Sequence, residues 1–286
     1  MRLHVTEQRS VGAAAAGRGW ALLAALAALL VAAPSPSLAY TRAELQGKPG
    51  TYLYWTVRNI SYVVHKAGCA DVPLNETVGA IRRAFFSWAS PSCTDFFFNY
   101  GGLESVDRTN LTLAEGEKPD GKNLIIWRED AWPPPGVTDP SINKDMPAVT
   151  TLIYKTDTGF IADADIDLNG YNFYWTTTDD PSKAATDIEN ILAHEIGHLL
   201  GLGHSDEKEA TMYGTTVQAE LKKRSLEKDD LAGTCFVYPF SADTPPGPGQ
   251  GTVPVDVQGG CAVGGRGEGG VPLLLLLALL MVRRRG

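Results

Sequence analysis

Positive charge is in short supply. Twenty-five Lys and Arg face 33 Asp and Glu, for a formal net charge of −8. The two ends expected to be removed are themselves basic. Residues 1–39 carry +2 and residues 262–286 carry +3, so the remainder stands near −8 − 2 − 3 = −13. This argues against nucleic-acid binding, which asks for a basic surface, and leaves room for cation sites. The chain also lacks an uninterrupted apolar run of the roughly 20 residues that a membrane-spanning helix needs. The longest runs are Trp20–Ala33 and Val271–Val282. No internal repeat is visible, which sets repeat architectures aside. Histidine is scarce too, with five copies, yet three of them fall between Ala193 and Ser205.

Residues 1–39 read as an export signal. Arg2, Arg9 and Arg18 precede the first apolar run, and the small residues Ser37 and Ala39 have the spacing of a signal-peptidase site. Cleavage after Ala39 makes Tyr40 the expected mature N-terminus. Residues 40–240 are expected to form one domain of ordinary size. Residues 241–260 are rich in Pro and Gly and nearly free of large apolar side chains, the composition of a linker. Residues 261–286 form a tail in which Cys261, an apolar run and Arg283, Arg284 and Arg285 follow in order. Cationic residues stay on the cytoplasmic side, so such a tail would leave the body of the protein outside, in agreement with the export signal. The expected location is the cell surface, the outer membrane or the extracellular space.

Within the domain, "TYLYWTVRNISYVV" has strand composition. Val78, Ile81, Ala84, Phe85 and Trp88 then recur at helical period, with Asn75 as the expected N-cap. Four more strands follow, in "TDFFFNYGG", "KNLIIWRED", "AVTTLIYKT" and "GFIADADIDLNG". A second long helix is expected from Asp180, as cap, through Pro181 to Gly201, and a last one in "SLEKDDLAGTCFVYP". The pattern predicts an α+β domain built on one twisted sheet of five strands. His65 reads as an ordinary strand-end residue.

The histidine stretch carries the chemistry. His194 and His198 are four apart on a predicted helix, so both rings lie on one face about a turn apart. Gly201 allows the helix to stop and the chain to turn with positive φ, which brings His204 back as a third nitrogen. Three neutral imidazoles leave one position of a zinc ion open, the arrangement of a catalytic site. Glu195, beside His194, is placed to take a proton from a zinc-activated water.

His194, Glu195, His198, Gly201 and His204 fill every fixed position of H-E-x-x-H-x-x-G-x-x-H. Here the sequence resembles the metzincin metalloproteases, and Ser205 resembles their matrixin branch. Met212 in "ATMYG" matches that branch's methionine turn, and Asp229 and Asp230 match the acidic pair of its closing helix. The resemblance implies a zincin fold with a five-stranded sheet, two long helices and a small C-terminal subdomain ending in a helix. It implies one catalytic zinc and a monomeric endopeptidase acting on protein or peptide chains. Substrate would lie extended along the edge strand near Val149–Tyr154, and Tyr213 would begin the wall of the pocket beyond the cut bond. The rival reading is a non-catalytic surface module that keeps the fold for binding.

The chain also departs from the family. Where animal matrixins place a structural-zinc histidine, this sequence has Asp165. Asp163, Asp165 and Asp167 alternate along one strand face, which leaves two readings, a calcium site or a solvated acidic face. No cysteine-bearing prodomain precedes the expected first strand. Export permits disulfides, and Cys93 with Cys235 is favoured because both sit at helix ends, whereas the helix between Cys69 and Cys93 separates those two. Cys261, ahead of the apolar run and the arginines, resembles a myxobacterial C-terminal sorting tail. That resemblance implies processing and lipid attachment at Cys261; the plain alternative is an uncleaved membrane anchor.

Overall fold

A computed structural model describes residues 39–114, 117–180, 185–240 and 273–277. The expected export signal up to Leu38, Pro181, the linker and all of the tail but five residues lie outside the described residues. Among the described residues no helix is long and apolar enough to cross a membrane.

The elements run β1 (Asn59–His65), α1 (Leu74–Ala89), β2 (Phe97–Glu104), β3 (Asn123–Arg128), β4 (Ala148–Tyr154), β5 (Ile161–Asn169), the short pair β6 (Trp175–Thr176) and β7 (Thr186–Asp187), α2 (Ile188–Leu199) and α3 (Lys228–Val237). The five domain strands are ordered β2-β1-β3-β5-β4. β1 runs parallel to β2 and β3, and β3 to β5, while β4 is antiparallel to β5. The α+β class, the five-stranded sheet and the two long helices are as expected. A sixth strand, β8 (Leu273–Leu277), comes from the tail and runs antiparallel along the outer edge of β4, Val149 opposite Leu277 and Ile153 opposite Leu273.

Both helix starts differ from the sequence reading. α1 begins behind Pro73, whose φ of −52° suits a helix entry, and Asn75 lies inside the first turn. α2 is capped by Asp187, not Asp180. Asp187 is buried, accepts the amide of Asn190 at 2.7 Å and is clasped by Arg224 at 2.8 and 2.6 Å. A cap with a tertiary partner wins over one that local sequence alone supports.

α1 lays Ala80, Ile81, Ala84, Phe85 and Trp88 into the core between sheet and α2. The Phe85 ring stacks on Tyr62 of β1 with centroids 3.7 Å apart. The favoured disulfide forms between Cys93, beyond α1, and Cys235 of α3, with Cα atoms 5.5 Å apart. Cys69 is a buried free thiol, and His65 closes β1 as expected.

The three aspartates of β5 do not form a solvated face. Asp163, Asp165 and Asp167 are all buried, because the β2–β3 connection folds over them. Asp163 accepts from the Gly121 amide, Asp165 from the amides of Leu124 and Asn110, and Asp167 from Thr109 Oγ1 and Arg128 Nε. The carboxylates hold down a connection that lacks a hydrophobic stripe of its own. Burial raises the pKa of all three, Asp163 to about 6.

Candidate metal centre

α2 is buried along its whole length. Its carbonyls are met from three sides. Trp88 Nε1 donates to Ala193 O at 2.7 Å, Trp55 Nε1 to Leu199 O at 2.8 Å, and the Tyr238 hydroxyl to Leu200 O at 2.8 Å. The helix ends where expected. Gly201 takes φ +82°, and a Cβ there would come within 2.3 Å of Leu53 O, so both its conformation and its surroundings demand glycine.

The turned chain is then stapled to the N-terminal segment. Ala43 N donates to Gly201 O at 2.8 Å, Gly203 N to Thr41 O at 3.0 Å, and Thr41 Oγ1 to His204 O at 2.7 Å. Nothing in the composition of Thr41–Ala43 signals this role.

The three histidines do converge. Each offers a nitrogen, and these nitrogens lie within 4.8 Å of one another. Among the described residues this is the one such group, so Asp163, Asp165 and Asp167 do not gather into a comparable cluster. His194 Nδ1 lies 2.7 Å from Thr211 O and His198 Nδ1 lies 2.9 Å from Leu202 O. A carbonyl can only accept, so each Nδ1 carries the hydrogen and each Nε2 presents a lone pair. Both Nε2 atoms are buried and have no hydrogen-bond partner. Burial, with Lys223 and the neighbouring histidines, holds both rings well below the ordinary histidine pKa and so neutral. Buried, neutral, orphaned nitrogens at this separation fit a zinc ion.

Glu195 lies beside them, wholly buried. One carboxylate oxygen accepts from Thr150 Oγ1 of β4 at 2.5 Å, and the other has no partner. Burial raises its pKa to about 8, against the opposing pull of Thr150 and Lys223. A basic carboxylate with one free oxygen beside the cluster suits a proton acceptor. Thr150 was not anticipated; a threonine in a strand of strand formers gives no local sign of this bond.

Met212 is buried, 2% exposed. It abuts Gly197, where a Cβ would fall 2.1 Å from the Met212 sulfur and 2.8 Å from the Trp88 ring. Gly197 was also missed, although a glycine inside a helix is costly enough to be a signal in itself. The methionine turn is tied to α3. Asp230 accepts the amides of Thr211 at 2.7 Å, Met212 at 2.9 Å and Glu227 at 2.9 Å. Asp229 accepts Ser205 Oγ at 2.6 Å and the Tyr40 amide at 2.9 Å. Tyr213 bridges back to Ser205, and a Cβ on Gly214 would lie 3.0 Å from the His204 ring. The segment after Met212 therefore runs along the third histidine.

Two outcomes follow. Gly→Ala inside an exposed helix stabilises by roughly 0.5–1 kcal/mol, but Gly197→Ala is expected to destabilise by about 1–3 kcal/mol through overpacking. Thermal unfolding and zinc content should fall together; an unchanged or higher Tm contradicts the packing. The second outcome concerns pH. In the folded, metal-free protein Glu195 stays protonated up to about pH 8, whereas unfolded it is protonated only below its ordinary value of 4.5. Stability attributable to it is thus fully present below about 4.5 and is lost as pH rises through about 8. Chelated wild type should fall progressively behind chelated Glu195→Gln across that window in thermal denaturation, and a pH-independent gap would contradict the burial.

Comparison with known proteins agrees with this geometry. The family model described as Matrixin matches residues 151–239. The chain is 30% identical to Metalloendoproteinase 1-MMP of Arabidopsis thaliana over 200 residues, 67% of this chain and 45% of that protein. It is 30% identical to Metalloendoproteinase 2-MMP of the same plant over 169 residues, 58% of this chain and 38% of that protein. It is 25% identical to Karilysin of Tannerella forsythia over 197 residues, 67% of this chain and 35% of that protein. The chain thus spans less than half the length of these relatives. The α+β arrangement of one five-stranded sheet and its helices is consistent with the matrixin fold, and the family match together with the histidine cluster supports a matrixin-like metzincin.

Proposed function

We propose that this chain is an exported zinc endopeptidase. The observation that carries the proposal is the set of buried histidine nitrogens within 4.8 Å of one another, with the half-bonded Glu195 carboxylate alongside. His194, His198 and His204 would hold the ion. A zinc ion bound there would supply a Lewis acid able to polarise a carbonyl and acidify a water. Glu195, with one carboxylate oxygen unbonded beside the cluster, would be the residue that accepts a proton and returns it to the departing amine. Thr150, on β4, keeps the carboxyl oriented. A substrate chain would add a strand along Val149–Tyr154 only in place of β8, which pairs antiparallel with β4 from Val149 to Ile153. Nothing favours the binding-module alternative, since each residue that the chemistry needs is present.

The test is hydrolysis of unfolded casein with and without a chelator. Activity should vanish on chelation and return with zinc, at about one zinc per chain. Glu195→Gln should keep the zinc and lose about 10²–10⁴-fold in kcat. A zinc-loaded Glu195→Gln protein with undiminished activity would rule out this role.

Export and surface attachment belong to the same proposal. Cleavage after Ala39 would leave the Tyr40 nitrogen, 2.9 Å from Asp229, as an ammonium on a buried carboxylate. Twelve apolar residues span about 18 Å as a helix, short of a hydrocarbon core of about 30 Å, so the tail fits a segment that is cut near Cys261 better than a permanent anchor. Calcium at Asp163, Asp165 and Asp167 is not proposed, because these carboxylates accept hydrogen bonds from β3 and the β2–β3 connection and do not gather into a metal-binding group. Mass spectrometry of the membrane fraction should find a mature C-terminus near Cys261, and a terminal peptide reaching Arg285 would show an uncleaved anchor.

A further inference from the structure

β4 has two sides to cover. On one it pairs with β5 along its whole length, from Ala148 to Tyr154. On the other, without a further strand, it would present a row of unpaired amides and carbonyls, the feature that sheet edges must hide. That row does not stand open. β8 lies along it in antiparallel register, with Thr150 opposite Leu276, Thr151 opposite Leu275 and Leu152 opposite Leu274. β4 is thereby an interior strand of a six-stranded sheet, and all seven of its residues are buried.

The covered row runs beside the histidine cluster. Thr150 Oγ1 donates to the Glu195 carboxylate at 2.5 Å and lies 3.2 Å from the Glu195 carbonyl, so β4 meets α2 at the glutamate between His194 and His198. Neighbouring strands lie about 4.8 Å apart, which puts the backbone of Leu276 at that spacing from the residue that holds Glu195. A peptide that paired with β4 to reach Glu195 would need the same row of backbone groups. β8 and a substrate chain cannot both have it.

The composition of β8 suits an occupant that is held by its backbone. Leu273–Leu277 is a uniform run, so no alternation of polar and apolar residues sets its register. It also carries no charge that would keep it off a sheet edge. Because it belongs to the same chain, its docking is intramolecular, and a free peptide has to outcompete it.

We propose that β8 is a built-in competitor: while the tail is attached, Leu273–Leu277 closes the β4 edge to substrate, and the chain is latent until the tail leaves that edge. The proposal rests on the endopeptidase reading. Occupancy of the edge lowers the fraction of molecules open to substrate, and the apparent affinity falls by that fraction while the chemistry of the open molecules is unaltered. The device therefore acts on KM and not on kcat.

The experiment uses the zinc-loaded full chain with its tail, one peptide substrate and amide hydrogen exchange. Leu275→Pro and Leu276→Pro each remove one amide. Successive amides of a strand point to opposite sides, so one of the two variants breaks the ladder to β4. Leu279→Pro, beyond β8, is the control and should match wild type. The ladder-breaking variant should lower KM at least about tenfold with kcat unchanged, and the β4 amides that β5 leaves unpaired should lose protection with it. If the proline variants do not fold, replacing Leu273–Leu277 by glycine, which weakens a strand but keeps its amides, should give the same result. An unchanged KM in a variant whose β4 amides have lost protection overturns the proposal. So does a wild type whose β4 amides exchange as fast as those of the variants, or one that cuts its own tail within Leu273–Leu277. If no form hydrolyses the peptide, the peptidase reading alone fails, and the affinity of a zinc-chelating peptide hydroxamate decides: binding about tenfold tighter to the ladder-breaking variant supports the competitor, and equal binding overturns it.

Discussion

The domain depends on a helix with no exposed side. α2 carries two of the three histidines and the glutamate, and all twelve of its residues are buried. A helix in that position must satisfy the polar groups at both ends without water. Its N-terminus is met by Asp187, itself neutralised by Arg224. Carbonyls along it and at its C-terminal end are met by two tryptophan indoles and a tyrosine hydroxyl. Those donors come from α1, from the segment before β1 and from the residue after α3. Satisfying one helix therefore recruits most of the domain, and the helix is fixed well enough to aim its rings.

The same logic governs the turn and the segment beside the histidine cluster. Backbone that leaves a buried helix needs partners, and the N-terminal segment and α3 supply them. Asp229 and Asp230 divide the task. One holds Ser205 and the Tyr40 amide, the other the two amides that lead into Met212. Acidic side chains suit this work because one carboxylate can accept several N–H groups. The β5 aspartates use the same device on the other face of the sheet from the core residues Ala164, Ile166 and Leu168, where they bind a long connection to the sheet.

Legibility from sequence followed the range of the interaction. His194, Glu195, His198, Gly201 and His204 could be read because helical period and a glycine stop are local properties, and the cluster assembles as that reading requires. Met212 was legible from its spacing and Asp229 and Asp230 from their resemblance, but what each of them touches was not. Gly197 was overlooked although its cost in a helix is a local signal. Thr150 was out of reach, since a threonine in a strand has an ordinary surface reading.

The amino-acid sequence by itself determined the α+β element pattern, the set of three histidines that converge and the turn that brings His204 back, since these rest on periodicity, on glycine's tolerance of positive φ and on the chemistry of imidazole. Only the tertiary structure decided where α2 begins, that the β5 carboxylates are buried staples rather than a solvated face, and that Thr150 grips Glu195. Each of those depends on which groups are desolvated together. Desolvation is set by segments far apart in the chain, such as Thr150 and Glu195 or Asp187 and Arg224, and no local pattern encodes their meeting.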